Sequence, residues 1–158
     1  MIKQKIKPCL WFNDQAEEAM NFYISVFPHS KVGDVSYYGD AGPGTKGSVM
    51  VVTFQLEGQD FMGLNGGPNF KFNEALSLVV ECESQEEVDE FWEKLSEGGQ
   101  KSQCGWLKDK YGLSWQIVPA ALGKLMTGLD KEKTNKVMQA LLKMTKIDLE
   151  ALRKASGQ

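Results

Sequence analysis

The chain has 158 residues, 42% of them hydrophobic and 25% charged, which is an ordinary globular composition with length enough for one substantial core. Its formal charge of −3 supplies no basic field, so nucleic acid and anionic membrane surfaces are set aside as partners. No apolar run approaches the ~20 residues that cross a bilayer. No basic and apolar leader precedes the first turn, and Cys9, Cys82 and Cys104 form no CxxC pair, so the expectation is a reduced, soluble, cytoplasmic protein.

The first predicted element is a short strand over residues 6–12, with a proline near its start. A helix follows. Asn13 and Asp14 offer caps for its orphan amides, Glu17 stands three residues beyond Asp14, and Ala16, Ala19, Met20, Tyr23, Val26 and Phe27 recur at helical spacing until Pro28 ends it. Three β-rich segments come next, over 32–38, 48–56 and 59–64, separated by the glycine-rich stretch 39–47 and the Glu57-Gly58 turn.

The order then begins again. Residues 75–82 form an apolar, β-branched run that feeds into Ser84, whose partner Glu87 stands at capping-box spacing. Val88, Phe91, Trp92 and Leu95 make the stripe of a second helix, closed by Gly98-Gly99. Strands are predicted over 100–104, 105–108 and 114–118, with Lys110-Tyr111-Gly112 as the last turn. Phe22-Tyr23 and Phe91-Trp92 fall at equivalent places on the two helices, so the halves read as divergent copies of one βαβββ unit. A helix covers one face of each half-sheet and the twin half closes the other, which predicts a trough between them. After Pro119 the pattern turns helical: Asp130 precedes Val137, Leu141 and Met144, and Asp148 precedes a short pattern over 149–153. The layout is a single α+β domain over 1–119, made of modules 5–65 and 74–119. A helical extension over 120–158 follows, expected to brace the body or a partner subunit.

Three segments, PCLWFNDQAEEAMNFYISVFPHSKV, FMGLNGGPNFKFNEALSLVVEC and CGWLKDKYGLSWQIVP, resemble the PhnB-like branch of the vicinal-oxygen-chelate superfamily. That superfamily holds glyoxalase I, fosfomycin and bleomycin resistance proteins and extradiol dioxygenases, and the branch is often labelled 3-demethylubiquinone-9 3-methyltransferase. The resemblance spans about residues 5 to 119. It implies two βαβββ modules in a curved mixed sheet, a homodimer, and, in the metal-dependent members, one divalent ion held by His and Glu or Gln side chains. Carried over by position, the last ligand falls on Gln116, the first on Lys7 or Pro8, the third on Ala75 beside Glu74 and Asn73, and the second on Gly63, Leu64 or Asn65. None of these is an imidazole, and the single histidine, His29, reads as a solvated loop residue beyond the first helix. No metal and no cofactor is therefore expected.

Catalytic machinery is equally sparse. Gly42-Pro43-Gly44 lies between two predicted strands, so it reads as a hairpin loop and not as the glycine-rich turn of an S-adenosylmethionine site. Cys9 and Cys104 read as small buried hydrophobes, and Glu74 is either a buried base or an exposed turn carboxylate. No catalytic residue is assigned. What remains suits ligand holding. Strand alternation sends Gln116, Ser114 and Val118 to one face and Trp115 and Ile117 under the helices. On the inter-module linker, Asn65, Gly66, Phe70 and Phe72 join Gln116, Ser114 and Glu74 as candidate binding residues, with Trp11 and Trp106 read as core. The leading expectation is a metal-free binder of a small organic molecule. The alternatives are a metal-dependent enzyme of glyoxalase, dioxygenase or antibiotic-resistance type that uses Gln116 and Glu74, and a non-catalytic assembly module.

Overall fold

The computed structural model describes residues 4–127 and 130–157. The chain divides into two compact units, Met1–Phe72 and Asn73–Gln158.

The first unit runs β1 (Cys9–Phe12), α1 (Ala16–Val26), β2 (Lys31–Tyr37), β3 (Val49–Leu56) and β4 (Gln59–Asn65), with the strands ordered β1-β4-β3-β2 in one sheet. β1 lies parallel to β4, which only a crossover such as α1 permits, and the remaining pairs are antiparallel. Glu57 and Gly58 both take positive φ, the backbone of a tight two-residue hairpin, and so join β3 directly to β4. Register decides which side chains α1 covers. Val52 faces Gly63 and Phe54 faces Phe61 across β3 and β4, and together with Leu10 and Phe12 they meet Ala16, Ala19, Met20 and Tyr23 of the helix. Tyr23, Phe54 and Phe61 stack there, with centroids 6.4 and 5.5 Å apart. The alternate residues, Cys9, Trp11, Thr53, Met62 and Leu64, point to the helix-free face.

One expectation fails at the start of α1. Neither Asn13 nor Asp14 caps it; the cap position is Gln15, which makes no side-chain capping bond. Asn65, at the end of β4, does the work instead: its Oδ1 accepts from Ala16 N at 2.8 Å and its Nδ2 donates to Val49 O at 3.1 Å. A residue 49 positions away supplies the cap, which local spacing cannot reveal.

The second unit repeats the order with β5 (Ser77–Cys82), α2 (Gln85–Ser96), β6 (Gln100–Lys101), β7 (Trp106–Lys108) and β8 (Ser114–Pro119), sheet order β5-β8-β7-β6, again with its first and last strands parallel. Ser84 caps α2 by accepting from Glu87 N at 3.2 Å. The reciprocal arm reaches one residue further than expected, Glu87 accepting from Glu83 N at 2.7 Å. Trp92 is buried in this unit as Tyr23 is in the first. Leu107, Trp115 and Ile117 lie on the helix side, fully buried.

The predicted strand over 100–104 is a correction. β6 stops at Lys101, because Cys104 and Gly105 turn through positive φ of 56° and 80° and give their amides to the C-terminal extension: Cys104 N donates to Met144 O at 2.9 Å and Gly105 N to Thr145 O at 2.7 Å. The extension folds as α3 (Ala121–Thr127), α4 (Lys131–Leu141) and α5 (Leu149–Ser156). The first of these is not marked in the pattern of the sequence; the other two start where Asp130 and Asp148 predict, each carboxylate accepting an amide at 2.9 Å. Leu122, Leu125, Val137, Ile147, Leu149 and Leu152 make its core. Gln85 of α2 ties it down, donating to Ile147 O at 3.0 Å and accepting from Leu149 N at 2.9 Å, while Lys146 pairs with Asp89 at 2.7 Å. The extension thus braces the body of the second unit. Among the described residues no helix is long and apolar enough to cross a membrane.

Candidate functional site

The helix-free face of the second sheet carries the polar residues that register brings side by side. Across β5, β8 and β7 one row reads Ser77, Ser114, Lys108, and the next reads Val79, Gln116, Trp106. Alternation therefore places Gln116 and Ser114 on the open face and Trp115 and Ile117 under the helix, as the sequence predicts. Gln116 is half-buried, and its Nε2 donates to Ser77 Oγ at 2.9 Å. Lys108 Nζ pairs with Glu74 Oε1 at 2.5 Å. The bond to Lys108 holds the Glu74 carboxyl below the usual carboxylate range, which makes it a poor general base. Ser114 is 1% exposed, and its Oγ has no hydrogen-bond partner among the described residues. A cleft of about 420 Å³ opens over Glu74, Lys108 and Ser114, lined also by Gln100, Ser102, Gln103, Cys104, Trp106 and Leu107; Gln116 stands at its margin, as the register partner of Trp106.

Two devices set the shape of this cleft. Behind it, Asp109 is buried at the end of β7 with its Oδ1 accepting from the amides of Tyr111 and Leu113 at 2.9 and 3.1 Å and its Oδ2 from Trp115 Nε1 at 2.9 Å. One carboxylate thereby fixes the turn that delivers Ser114 to β8. At the rim, the turn through Ser102, Gln103 and Cys104 is held by the extension's carbonyls, and Cys104 Sγ donates to Leu141 O at 3.4 Å. The extension positions one wall of the cleft.

Ser114 and Glu74 come together in the cleft and Gln116 stands one row away on the same face, whereas the other candidates form a separate cluster in the first unit. There the Trp11 indole lies against the backbone of Gly66, so that a Cβ at that position would fall inside the ring, and its Nε1 donates to Gly67 O at 2.9 Å. The space the sequence leaves for a ligand at Gly66 is filled by this indole. Phe70, largely exposed, meets the Trp11 ring edge-on at 4.9 Å, and Phe72 meets Phe12 at 5.4 Å. Asn65 spends its amide on the cap of α1, and its carbonyl accepts from Tyr38 Oη at 2.6 Å. These four residues anchor the linker that leaves β4.

Trp106, Lys108 and Gln100 are missed by sequence reasoning. Leu107 faces inward, so its neighbours face the open side, an alternation that the expectation of a core Trp106 reverses. Trp106 and Trp11 are corrections: each is half-buried on the helix-free face of its own sheet, outside the core. Cys9 is another, exposed at the edge of the first sheet. Cys82 alone is a buried thiol; burial chiefly, with the Glu87 carboxylate second, pushes it from 9.0 to about 12. Because the unfolded thiol ionises first, this contribution to stability is whole below pH 9 and declines as pH rises toward about 12. Native protein treated with a thiol-exchange reagent at pH 8 is expected to leave Cys82 unmodified while Cys9 reacts, and denaturant to release it; prompt labelling of native Cys82 would contradict the burial.

The residues present do not suit a metal ion. His29 is exposed in the loop after α1, and Lys7 pairs with Asp60 at 3.7 Å. Leu64 faces open and Gly63 lies under α1. Gln116 has Trp106 and Val79 as register partners and Lys108 one row away, so its surroundings supply a cation where an ion needs donors. Among the described residues no group of three or more His, Cys, Asp or Glu side chains is arranged to hold a metal. The Gly42-Pro43-Gly44 stretch joins the antiparallel strands β2 and β3 and packs on the buried Tyr38 ring; no helix follows it.

Comparison with known proteins gives a consistent result. The family model described as 3-demethylubiquinone-9 3-methyltransferase matches residues 4–118, so the extension lies beyond it. The PhnB protein of Bacillus cereus is 43% identical, with a TM-score of 0.68 over 74% of this chain and 100% of its own. A protein of Pseudomonas aeruginosa is 19% identical, with a TM-score of 0.62 over 74% of this chain and 98% of its own. The fosfomycin resistance protein FosX of Listeria monocytogenes, solved with Mn(II) and sulfate, is 16% identical, with a TM-score of 0.55 over 81% of this chain and 98% of its own, a likeness of fold alone. No curated protein matches.

Proposed function

Because the chain belongs to the PhnB-like family described as 3-demethylubiquinone-9 3-methyltransferase, within the vicinal-oxygen-chelate superfamily, we propose that it binds a small organic molecule, without a metal ion, on the helix-free face of its second sheet. The observation that supports this most directly is the setting of Gln116, at the position where metal-dependent relatives of the resemblance place a ligand. It is a neutral amide between Trp106 and Val79, tied to Ser77, and beside a lysine. An amide on an aromatic floor offers a donor and an acceptor to an organic ligand. It offers a divalent ion almost nothing.

Methyl transfer is not part of the proposal. Each unit carries its helix between the first two strands and then runs through three strands in succession, and the glycine-rich stretch closes a hairpin. That topology lacks the strand-to-helix turn on which the common nucleotide-type cofactor sites are built.

The test has two arms. Melting curves taken with Mn, Zn, Ni and Fe(II) are expected to stay flat, since an ion that binds the native state alone must raise the midpoint. Capture of a cellular metabolite, followed by native mass spectrometry, is expected for the wild type and to weaken about tenfold in Gln116→Leu with little change in melting temperature. A metal-dependent rise in midpoint would instead favour an enzyme of the kind FosX represents. Unchanged capture by the leucine variant would remove Gln116 from the site.

A further inference from the structure

Resting on that reading of the face, the geometry points to the class of molecule it takes: we infer that the ligand carries a small anionic group, a carboxylate or its equivalent, that docks on Lys108 and Ser114 in place of the Glu74 carboxylate.

Three observations on one patch carry this. Ser114 is 1% exposed and its hydroxyl is buried without a partner among the described residues, an arrangement that costs stability unless something supplies one. It lines the cleft directly beside Lys108, its register partner across β7 and β8. Gln100 stands on the far side of Lys108, again as a register partner, and lines the same cleft. Lys108, Ser114 and Gln100 therefore line one small volume; the only charge among the three is the ammonium, the hydroxyl and amide can each donate, and the complement of such a group is an anion.

The chain already provides one. Glu74 precedes β5 and reaches Lys108 with a side chain 61% exposed against 35% for the lysine. An ion pair that open is worth little, so a carboxylate arriving with an apolar body to rest on Trp106 displaces it readily. Glu74 is thus a counterion held in place until the ligand comes, and not a base. A cationic ligand fits the same cleft badly, because the Glu74 charge is spent on Lys108 and the ammonium itself repels a second cation.

Phenylacetate, phenylacetamide and phenethylamine, which differ chiefly in charge at one end, are the probes. Their binding is followed by the side-chain amide signals of Gln100 and Gln116 in heteronuclear NMR. Phenylacetate is expected to shift both saturably, the amide and amine to do so at least tenfold more weakly. Glu74→Gln should tighten phenylacetate about two- to fivefold by removing the competitor. Lys108→Met should abolish binding and Lys108→Arg restore much of it, which separates lost charge from lost folding. Ser114→Ala should weaken phenylacetate about tenfold yet raise the melting midpoint, since the unpaired hydroxyl is gone; a serine with only a structural task gives the reverse. Equal binding of phenylacetamide and phenylacetate overturns the anion and leaves the small-molecule reading standing. Unchanged phenylacetate affinity in Glu74→Gln overturns the displacement. If no probe shifts either amide, the anion site falls, and the metabolite capture with Gln116→Leu decides the broader reading separately.

Discussion

Asp109→Ala is expected to destabilise the second unit by roughly 3 to 5 kcal/mol. The carboxylate is 2% exposed and accepts from two turn amides and the Trp115 indole, at 2.9 to 3.1 Å. Removing it takes this acceptor away from three donors at the point where the chain enters β8, and each bond lost from a buried donor carries a desolvation cost. Asp109→Asn separates charge from shape: it keeps one acceptor for the turn but sets an NH2 against the Trp115 N–H, so an intermediate loss is expected. Urea denaturation followed by indole fluorescence measures both. A loss below about 1 kcal/mol for the alanine variant would mean that the turn holds itself without the carboxylate. Because Ser114 leaves this turn, the same variant is expected to disorder the cleft before the rest of the unit unfolds.

Much of this fold is legible because it is local or periodic. Tyr23 and Trp92 sit at the same place in two helical stripes, both are buried, and both modules keep their element order. Gln116 and Ser114 are readable for the same reason: a period of two, anchored by Trp115 and Ile117, fixes their face without any knowledge of neighbours. What escapes is whatever depends on a distant partner. The cap on α1 comes from Asn65, so Asn13 and Asp14, suited in type and spacing, are not used. β6 ends at Lys101 because carbonyls of residues 144 and 145 claim the amides of Cys104 and Gly105, and no composition near residue 102 announces that. Trp106 and Lys108 lie inside the strand predicted over 105–108, but taking Trp106 as core turns the alternation over and hides Lys108 with it. Glu74 was visible as a residue but not as an ion pair, since its partner lies 34 positions on, across the sheet.

That junction between extension and sheet is also where one methyl group should do most harm. Gly105 has φ of 80°, and a Cβ there would stand 2.7 Å from Ile117 O and 2.9 Å from Ile147 Cδ1. The first of these contacts is backbone of β8, already fixed by the Ile117 N–H donating to Gly105 O at 2.8 Å, and cannot retreat without breaking the sheet. Gly105→Ala therefore combines a strained dihedral with overpacking, and roughly 2 to 5 kcal/mol is expected from the two together. Over a chain of this length that corresponds to a melting midpoint lower by about 5 to 15 °C. Gly112→Ala is the control: its φ is 87°, but nothing lies within 4 Å of the added carbon, so it carries the dihedral strain alone. The difference between the two variants isolates the close approach, and equal losses would show that the extension is not seated against Gly105 as described. Hydrogen exchange gives the functional half of the prediction. Loss of protection at the amides of Cys104 and Gly105 in Gly105→Ala, with phenylacetate binding weakened in parallel, is expected if the extension shapes the cleft by holding the 102–105 turn.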